Sequence, residues 1–503
     1  MFYVNPLHAA DFYKVNHRPM YPDDTTKIYS NATARSNKLA NIPTDNNEVV
    51  FFGLQYFIKD FLIDTWNKNF FQLPKDQVVK AYKRRMDTSL GPDAVDVAHI
   101  AALHDLGYLP LKIKAMAEGT PVNIKVPMLT ITNTHPEFFW LTNYLESVLS
   151  AYLWHPVVSA TTARWYRRTL EKYAEETGSP LPFVMFQGHD FSFRGMSGIE
   201  SAAVSGAAHL TSFYGTDTIP AIDFLEQYYN ADADKELIGC SVPATEHSVM
   251  CMGGKESEVE TFRRLLKKFP SGILSVVSDT WDFWKVVTEY VTELKPEILA
   301  RTGSPIANKL VIRPDSGRPE AIICGDPTAP EGSPARKGAV QCLWDVFGGT
   351  VNAKGFKELD SHIGIIYGDS ITPQIATAIL RKLKENGFAS SNIVFGIGSY
   401  TYQYVTRDTY GSAVKATYGE VDGVGREIFK DPITDNGTKK SAKGLLMVQD
   451  GVLFDQVTPE QEETGDLKLV FLDGKLVVEH SLAEIRQRIS DSLLNKQHST
   501  KAA

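Results

Sequence analysis

One repeated pattern constrains this fold more than any other: a short apolar run that ends abruptly in glycine and charge. It occurs at Pro182-Phe183-Val184-Met185-Phe186 before Gly188-His189-Asp190, at Ile273-Leu274-Ser275-Val276-Val277 before Ser278-Asp279, and at Leu310-Val311-Ile312 before Arg313-Pro314-Asp315-Ser316-Gly317. It recurs at Ile363-Gly364-Ile365-Ile366-Tyr367 before Gly368-Asp369-Ser370, and at Ile393-Val394-Phe395 before Gly396-Ile397-Gly398-Ser399. Unbroken apolar runs of this length suit parallel strands covered on both faces, and α/β barrels place their chemistry on polar residues at the C-terminal strand ends. The expectation is an α/β enzyme whose strand ends present Asp, Arg and Gly to an anionic, hydroxyl-rich substrate.

Composition narrows the class. With 43% hydrophobic and 22% charged residues over 503 positions, the chain can bury a large core. A net charge of −8 argues against a general nucleic-acid binder, so any phosphate must be held by a local cluster. Cys240, Cys251, Cys324 and Cys342 lie far apart without C-x-x-C spacing, which indicates neither a zinc knuckle nor a disulfide framework. His8, Asp11, Lys14 and His17 precede any long apolar run, against a signal peptide, and no stretch approaches the ~20 apolar residues of a membrane span. A cytoplasmic protein with no membrane or nucleic-acid partner is expected.

Along the chain, Leu111-Lys112-Ile113-Lys114-Ala115 and Val122-Asn123-Ile124-Lys125-Val126 both alternate with period 2 around a Glu118-Gly119-Thr120-Pro121 turn, which predicts an antiparallel pair. Leu141, Tyr144, Leu145, Val148 and Leu149 recur at helical spacing after Pro136, and 258–269 is also helical. The Pro/Gly-rich interval 325–334 reads as a surface excursion. Short strands at 467–471 and 476–478 and a helix over 482–494 follow Lys430-Asp431-Pro432 and the basic run Lys439-Lys440-Ser441-Ala442-Lys443. The expected organisation is residues 1–180 as the first part of an α+β domain, 181–400 as a catalytic barrel, and 401–503 returning to the α+β domain.

Several segments suggest chemistry. Val242-Pro243-Ala244-Thr245-Glu246-His247-Ser248 sets a histidine beside a carboxylate and a hydroxyl, without the second histidine a zinc site needs. Gly396-Ile397-Gly398-Ser399 lacks the last glycine and the acidic partner of a dinucleotide fingerprint. It retains small residues whose backbone N–H groups suit one phosphate. Arg194, Arg313 and Arg407 each sit close to glycine or a loop signal, and the guanidinium fork suits phosphate.

Asp11-Phe12-Tyr13-Lys14, Phe52-Gly53-Leu54-Gln55-Tyr56, Trp140-Leu141-Thr142-Asn143, Asp190-Phe191-Ser192-Phe193-Arg194-Gly195, Gly215-Thr216-Asp217-Thr218, the His247 segment, Val276-Val277-Ser278-Asp279, Ile312-Arg313-Pro314-Asp315-Ser316-Gly317, Gly368-Asp369, Thr406-Arg407-Asp408 and Phe429-Lys430-Asp431-Pro432 occur in that order. Together, from Asp11 to about His480, they resemble the nicotinamide phosphoribosyltransferases, in the nicotinate/nicotinamide branch of the type II phosphoribosyltransferases. The resemblance implies an irregular α/β barrel with an additional α+β domain built from both ends of the chain. It implies a homodimer with active sites at the subunit interface. The implied reaction joins nicotinamide to phosphoribosyl pyrophosphate with Mg²⁺, and couples ATP hydrolysis through a phosphohistidine at His247.

Residue by residue, it implies that Phe191 and Tyr13 of a second subunit sandwich the pyridine, with Asp11 beside Tyr13, and that Asp217 accepts from the carboxamide. It assigns Arg194 and Arg313 to pyrophosphate or phosphate, Asp315 and Asp369 to ribose hydroxyls, and Asp279 to orienting His247. Gly368, Gly398, Ser399 and Arg407 line the nucleotide phosphate side. Ile397, Ser399 and Tyr400 stand where relatives run several glycines, and Ala413 replaces a serine, with Ser412 and Lys415 close by. The nearest rival is a nicotinate phosphoribosyltransferase, against which Asp217 argues: two carboxylates near contact repel by roughly a few kcal/mol in a partly dry pocket. A silent binding or signalling protein on the same fold is the rival from another class. The intact set His247, Asp279, Arg313, Asp315 and Asp369 weighs against it.

Overall fold

The computed structural model describes residues 4–43, 47–303, 308–430 and 442–501. Two compact units form: one from Met1–Thr161, Leu225–Ala231 and Val405–Ala503, the other from Thr162–Phe224 and Asp232–Tyr404. Asp431 and Pro432, and Lys439, Lys440 and Ser441 of the basic run, lie outside the described residues.

The first unit is organised on an antiparallel seven-stranded sheet in the order Val424–Glu427, Ala413–Val421, Thr25–Thr33, Pro127–Asn133, Leu111–Ala115, Lys468–Leu472, Lys475–Leu476. Strands from both ends of the chain thus share one ladder, with Thr25–Thr33 and its partners sinking Ile28, Tyr29 and Ala32 into the core. The pairing expected between 111–115 and 122–126 is not formed. Val126 N–H bonds back to Asn123 O and Lys125 takes φ +73°, so a tight turn ends the segment early. Leu111–Ala115 pairs instead with Pro127–Asn133 beyond that turn, and Pro121–Asn123 pairs with Glu48–Val50.

The second unit is a parallel sheet of six strands in the order Gly215–Thr216, Gly188–Asp190, Val394–Ile397, Ile363–Tyr367, Leu310–Arg313, Leu274–Val277. Residues 240–245 close it: Gly215 bridges Cys240 on one side and Ala244 bridges Ser275 on the other, both parallel. Pro243 prevents a regular ladder there, because it has no N–H to donate. The result is an irregular α/β barrel with one unzipped stave, held by Thr216 N–H to Cys240 O and Ser275 N–H to Pro243 O, both 2.9 Å.

Four of the five apolar runs form barrel strands. The run at 182–186 does not: Leu181–Phe183 is a 3₁₀ turn and Val184–Gln187 a helical turn, and the strand is Gly188–Asp190 itself. Pro182 cannot donate to a ladder, and Phe186 is exposed. Gln187 instead turns its amide onto Ser390 O and Ile393 O, which seats the turn beneath the next strand. The helical stretch after Pro136 is likewise subdivided, into Pro136–Phe138, Leu141–Tyr144 and Glu146–Thr177. The interval 325–334 lies within the second unit. Among the described residues, no helix is long and apolar enough to cross a membrane.

Candidate active site

The C-terminal barrel ends carry the polar residues, and an aromatic ring, Phe191, lies against two of them. Phe191 follows the Gly188–Asp190 strand, and its N–H is fixed to Ile397 O at 2.9 Å. Two neighbouring strand ends carry glycine where the ring lies. A Cβ at Gly396 would stand 2.2 Å from Phe191 Cδ2, and one at Gly368 would stand 2.8 Å from Cε2. Beneath, His209 is fully buried and held neutral by that burial, its pKa pushed down to about 4. Its Nε2 meets both Gly188 O and Gly215 O, and its Nδ1 meets Tyr402 Oη at 2.7 Å, so one ring ties two strand ends together.

Asp217, just past the Gly215–Thr216 strand, is gripped on one oxygen. His189 Nε2 lies 2.9 Å and Ser241 Oγ 2.6 Å from Oδ1. Burial alone would raise this carboxyl. The hydrogen bond and charge of His189, the Ser241 hydroxyl and the charge of Arg313 outweigh it and leave the pKa below its ordinary value.

The opposite wall carries the carboxylates. His247 opens the turn His247–Cys251 at the end of the irregular stave, and its Nε2 faces Asp279 Oδ1 at 3.5 Å. Asp279 is nearly buried, and its Oδ2 accepts from Asp315 N–H at 2.9 Å and Ser316 Oγ at 2.6 Å, while Oδ1 has no hydrogen-bond donor. Asp279 therefore fixes the Asp315-Ser316 loop on one side and addresses His247 on the other. Arg313 donates to Thr245 O through Nη2, and its buried Nε has no partner. Tyr367 anchors the loop from below through Ser316 O and Gly317 O, at 3.0 and 3.1 Å. Burial first, then the charges of Asp369, Asp279 and Asp315, push its hydroxyl well above the ordinary range.

The remaining residues divide between the units. In the barrel, Arg194 is exposed, and a Cβ on the adjacent Gly195 would stand 2.2 Å from Ser399 Oγ. Gly398 precedes the turn Ser399–Tyr402, and Asp369 accepts from Ser370 Oγ at 3.0 Å. In the other unit, Tyr13 is exposed with Lys14 over its ring, Ser147 Oγ donates to Asp11, and Glu146 pairs with Lys14 and, at 3.8 Å, with Lys415. Arg407 there is exposed beside Asp408. The motifs alone do not single out His189, Ser241, Thr245, Ser316 or Tyr367 as working residues. The first four sit inside or beside quoted motifs, but their partners are distant in sequence. Among the described residues, no group of three or more His, Cys, Asp or Glu is placed to hold a metal ion.

Comparison with known proteins identifies the setting. Residues 186–475 match the nicotinate phosphoribosyltransferase (NAPRTase) family, and residues 5–113 match the N-terminal domain of nicotinamide phosphoribosyltransferase. The chain is 60% identical to the nicotinamide phosphoribosyltransferase of Acinetobacter baylyi over 98% of both chains. It is 37% identical to that of Mycoplasma pneumoniae, over 88% of this chain and 95% of that one. Among solved structures, nicotinate-nucleotide pyrophosphorylase from Pyrococcus furiosus superposes with a TM-score of 0.57 at 14% identity, over 98% of this chain and 97% of the other. Human nicotinic acid phosphoribosyltransferase gives 0.51 at 15%, over 96% and 93%. At those identities the likeness is one of fold.

Proposed function

The chain belongs to the nicotinate phosphoribosyltransferase family, and from that premise we infer that it is the nicotinamide-using enzyme. It transfers phosphoribosyl from phosphoribosyl pyrophosphate to nicotinamide, giving nicotinamide mononucleotide and pyrophosphate. The observation that supports this base over nicotinate is Asp217, whose Oδ1 is occupied by His189 and Ser241 and whose Oδ2 remains for a carboxamide N–H. The carboxylate of nicotinate would meet like charge there.

In the transfer, the pyridine nitrogen attacks the anomeric carbon with its own lone pair, so no base is required. The C–O bond to pyrophosphate lengthens, positive charge grows on the ribose and negative charge on the leaving group. Asp315 and Asp369 are suited to the ribose, and Arg194 and Arg313 to the departing diphosphate, stabilising what develops in the transition state. Phe191 supplies the stacking face. A Mg²⁺ ion would supply further neutralisation of the diphosphate.

ATP coupling belongs to the same reading. His247 Nε2 faces Asp279, which leaves Nδ1 to attack the γ-phosphorus of ATP, expel ADP and later release the phosphoryl group to water. Exposed Tyr13 fits a role in a homodimer, completing the site of a second copy. The deciding experiment measures turnover of nicotinamide and nicotinate with phosphoribosyl pyrophosphate, with and without ATP. Nicotinamide should be strongly preferred and ATP stimulatory. Equal use of nicotinate would overturn the assignment of Asp217.

A further inference from the structure

Asp217 does not choose its own orientation. A carboxylate on a strand end can rotate about χ2 and present either oxygen, or a water bridge, to the pocket. Here both neighbouring donors close on the same atom. His189 lies on the adjacent strand in register with Gly215, and its ring rests on that glycine, where a Cβ would stand 2.7 Å from Nδ1. Phe191 also packs against it, at a centroid distance of 5.0 Å with a 59° tilt. The imidazole thus touches both the bare backbone of Gly215 and the Phe191 ring, with Nε2 at Asp217. Because an ionised carboxylate only accepts, Nε2 must carry the proton, and the Ser241 hydroxyl must point its hydrogen the same way. Asp217 N–H bonds to Asp190 O at 2.9 Å, which fixes the backbone from which the side chain hangs.

We propose that His189 and Ser241 are the positioning residues that set the choice of nicotinamide over nicotinate, by saturating Oδ1 of Asp217 and leaving Oδ2 as a pure acceptor toward the substrate amide. This rests on the nicotinamide reading above. It has a consequence the carboxylate alone would not have. In an Asp217→Asn variant, two donors converge on the Oδ1 position, so the amide oxygen must take that place and the NH₂ must turn to the substrate. The substitution then inverts the polarity of the pocket and favours a carboxylate. Without His189 only Ser241 still donates at that position, so the amide turns more easily and the inversion is weakened.

The test compares kcat/KM for nicotinamide and nicotinate in wild type, His189→Leu, His189→Gln, Ser241→Ala, Asp217→Asn and Asp217→Asn/His189→Leu. A lost, partly buried charge-assisted hydrogen bond corresponds to about a tenfold effect. His189→Leu should therefore lower the nicotinamide-to-nicotinate ratio about tenfold, chiefly through the KM for nicotinamide, while His189→Gln, which keeps a donor, restores most of it. Ser241→Ala, at an exposed position, should lower the ratio in the same direction without disturbing the fold. Asp217→Asn should prefer nicotinate, and the double variant, oriented by Ser241 alone, should prefer it less. If His189→Leu and Ser241→Ala change both substrates equally and leave the ratio within about twofold of wild type, the proposal is overturned. A wild-type enzyme that does not discriminate would instead sink the function on which it rests.

Discussion

Adding a single methyl group at residue 396 asks whether the position of the Phe191 ring matters to the reaction. An ideal Cβ there would stand 2.2 Å from Phe191 Cδ2, 2.4 Å from Cε2 and 2.7 Å from Gly368 Cα, where ordinary contact begins at 3.4 Å. The ring must retreat by the difference, about 1.2 Å, because the other obstacle is backbone. It cannot simply slide with its own main chain, whose N–H is held by Ile397 O. Overpacking of this kind costs about 1–3 kcal/mol of stability, and a misplacement of about 1 Å in a substrate-positioning group costs about a hundredfold in rate. Gly396→Ala should therefore melt a few degrees lower and lose one to two orders of magnitude in kcat/KM for nicotinamide. Gly398→Ala, whose Cβ would meet nothing within 4 Å, should melt as wild type and serves as the stability control. The pair of measurements is thermal unfolding of both apo variants and steady-state kinetics of Gly396→Ala. Unchanged melting of Gly396→Ala, with kcat/KM within about twofold of wild type, would show that the ring is not held by these glycines or does not position the substrate.

Glu258 is only 2% exposed, one of its oxygens has no partner, and burial followed by the charge of Asp282 raises its pKa from 4.5 to about 7, against the lowering effect of Lys285. A carboxyl with a raised folded-state pKa contributes stability that is complete below the unfolded value and is lost as pH rises through the folded one. Glu258→Gln should thus match wild type near pH 4.5 and exceed it above about pH 7, by roughly 3 kcal/mol at most; melting curves at both pH values that shift in parallel would contradict this. His247→Ala should lose acid-labile label from γ-labelled ATP while keeping residual transfer at high phosphoribosyl pyrophosphate, and label retained in that variant would exclude His247 as the acceptor. Dilution below the dissociation point should abolish activity if Tyr13 completes a second copy's site, so full specific activity in a monomer measured by light scattering would refute that arrangement.

The barrel was legible wherever a strand is buried on both faces, because burial alone writes the unbroken apolar run: Leu274–Val277, Leu310–Arg313, Ile363–Tyr367 and Val394–Ile397. It was illegible where local chemistry competes. Pro182 turns an apolar run into a helical turn, and the positive φ of Lys125 redirects a strand that alternates well enough to pair elsewhere. Residues 240–245 carry no strand signal because bridges from two neighbouring strands, not their own pattern, hold them extended. At the site, the strand-end carboxylates and arginines stand out as charge after apolar runs. His189 and Ser241 do not, since their roles depend on a partner 28 and 24 residues away.

That irregular stave acts mechanically as a tie-rod. Ser241 near one end grips the carboxylate of Asp217, Thr245 near the other receives the guanidinium of Arg313, and His247 follows two residues later. The two grips are about 13 Å apart along extended chain, at roughly 3.3 Å per residue. Backbone hydrogen bonds at Cys240, Pro243 and Thr245 fasten it to the strands on both sides, so the two grips are held at a fixed separation. A change in length between Ser241 and Thr245 would therefore displace both grips at once, on Asp217 and on Arg313.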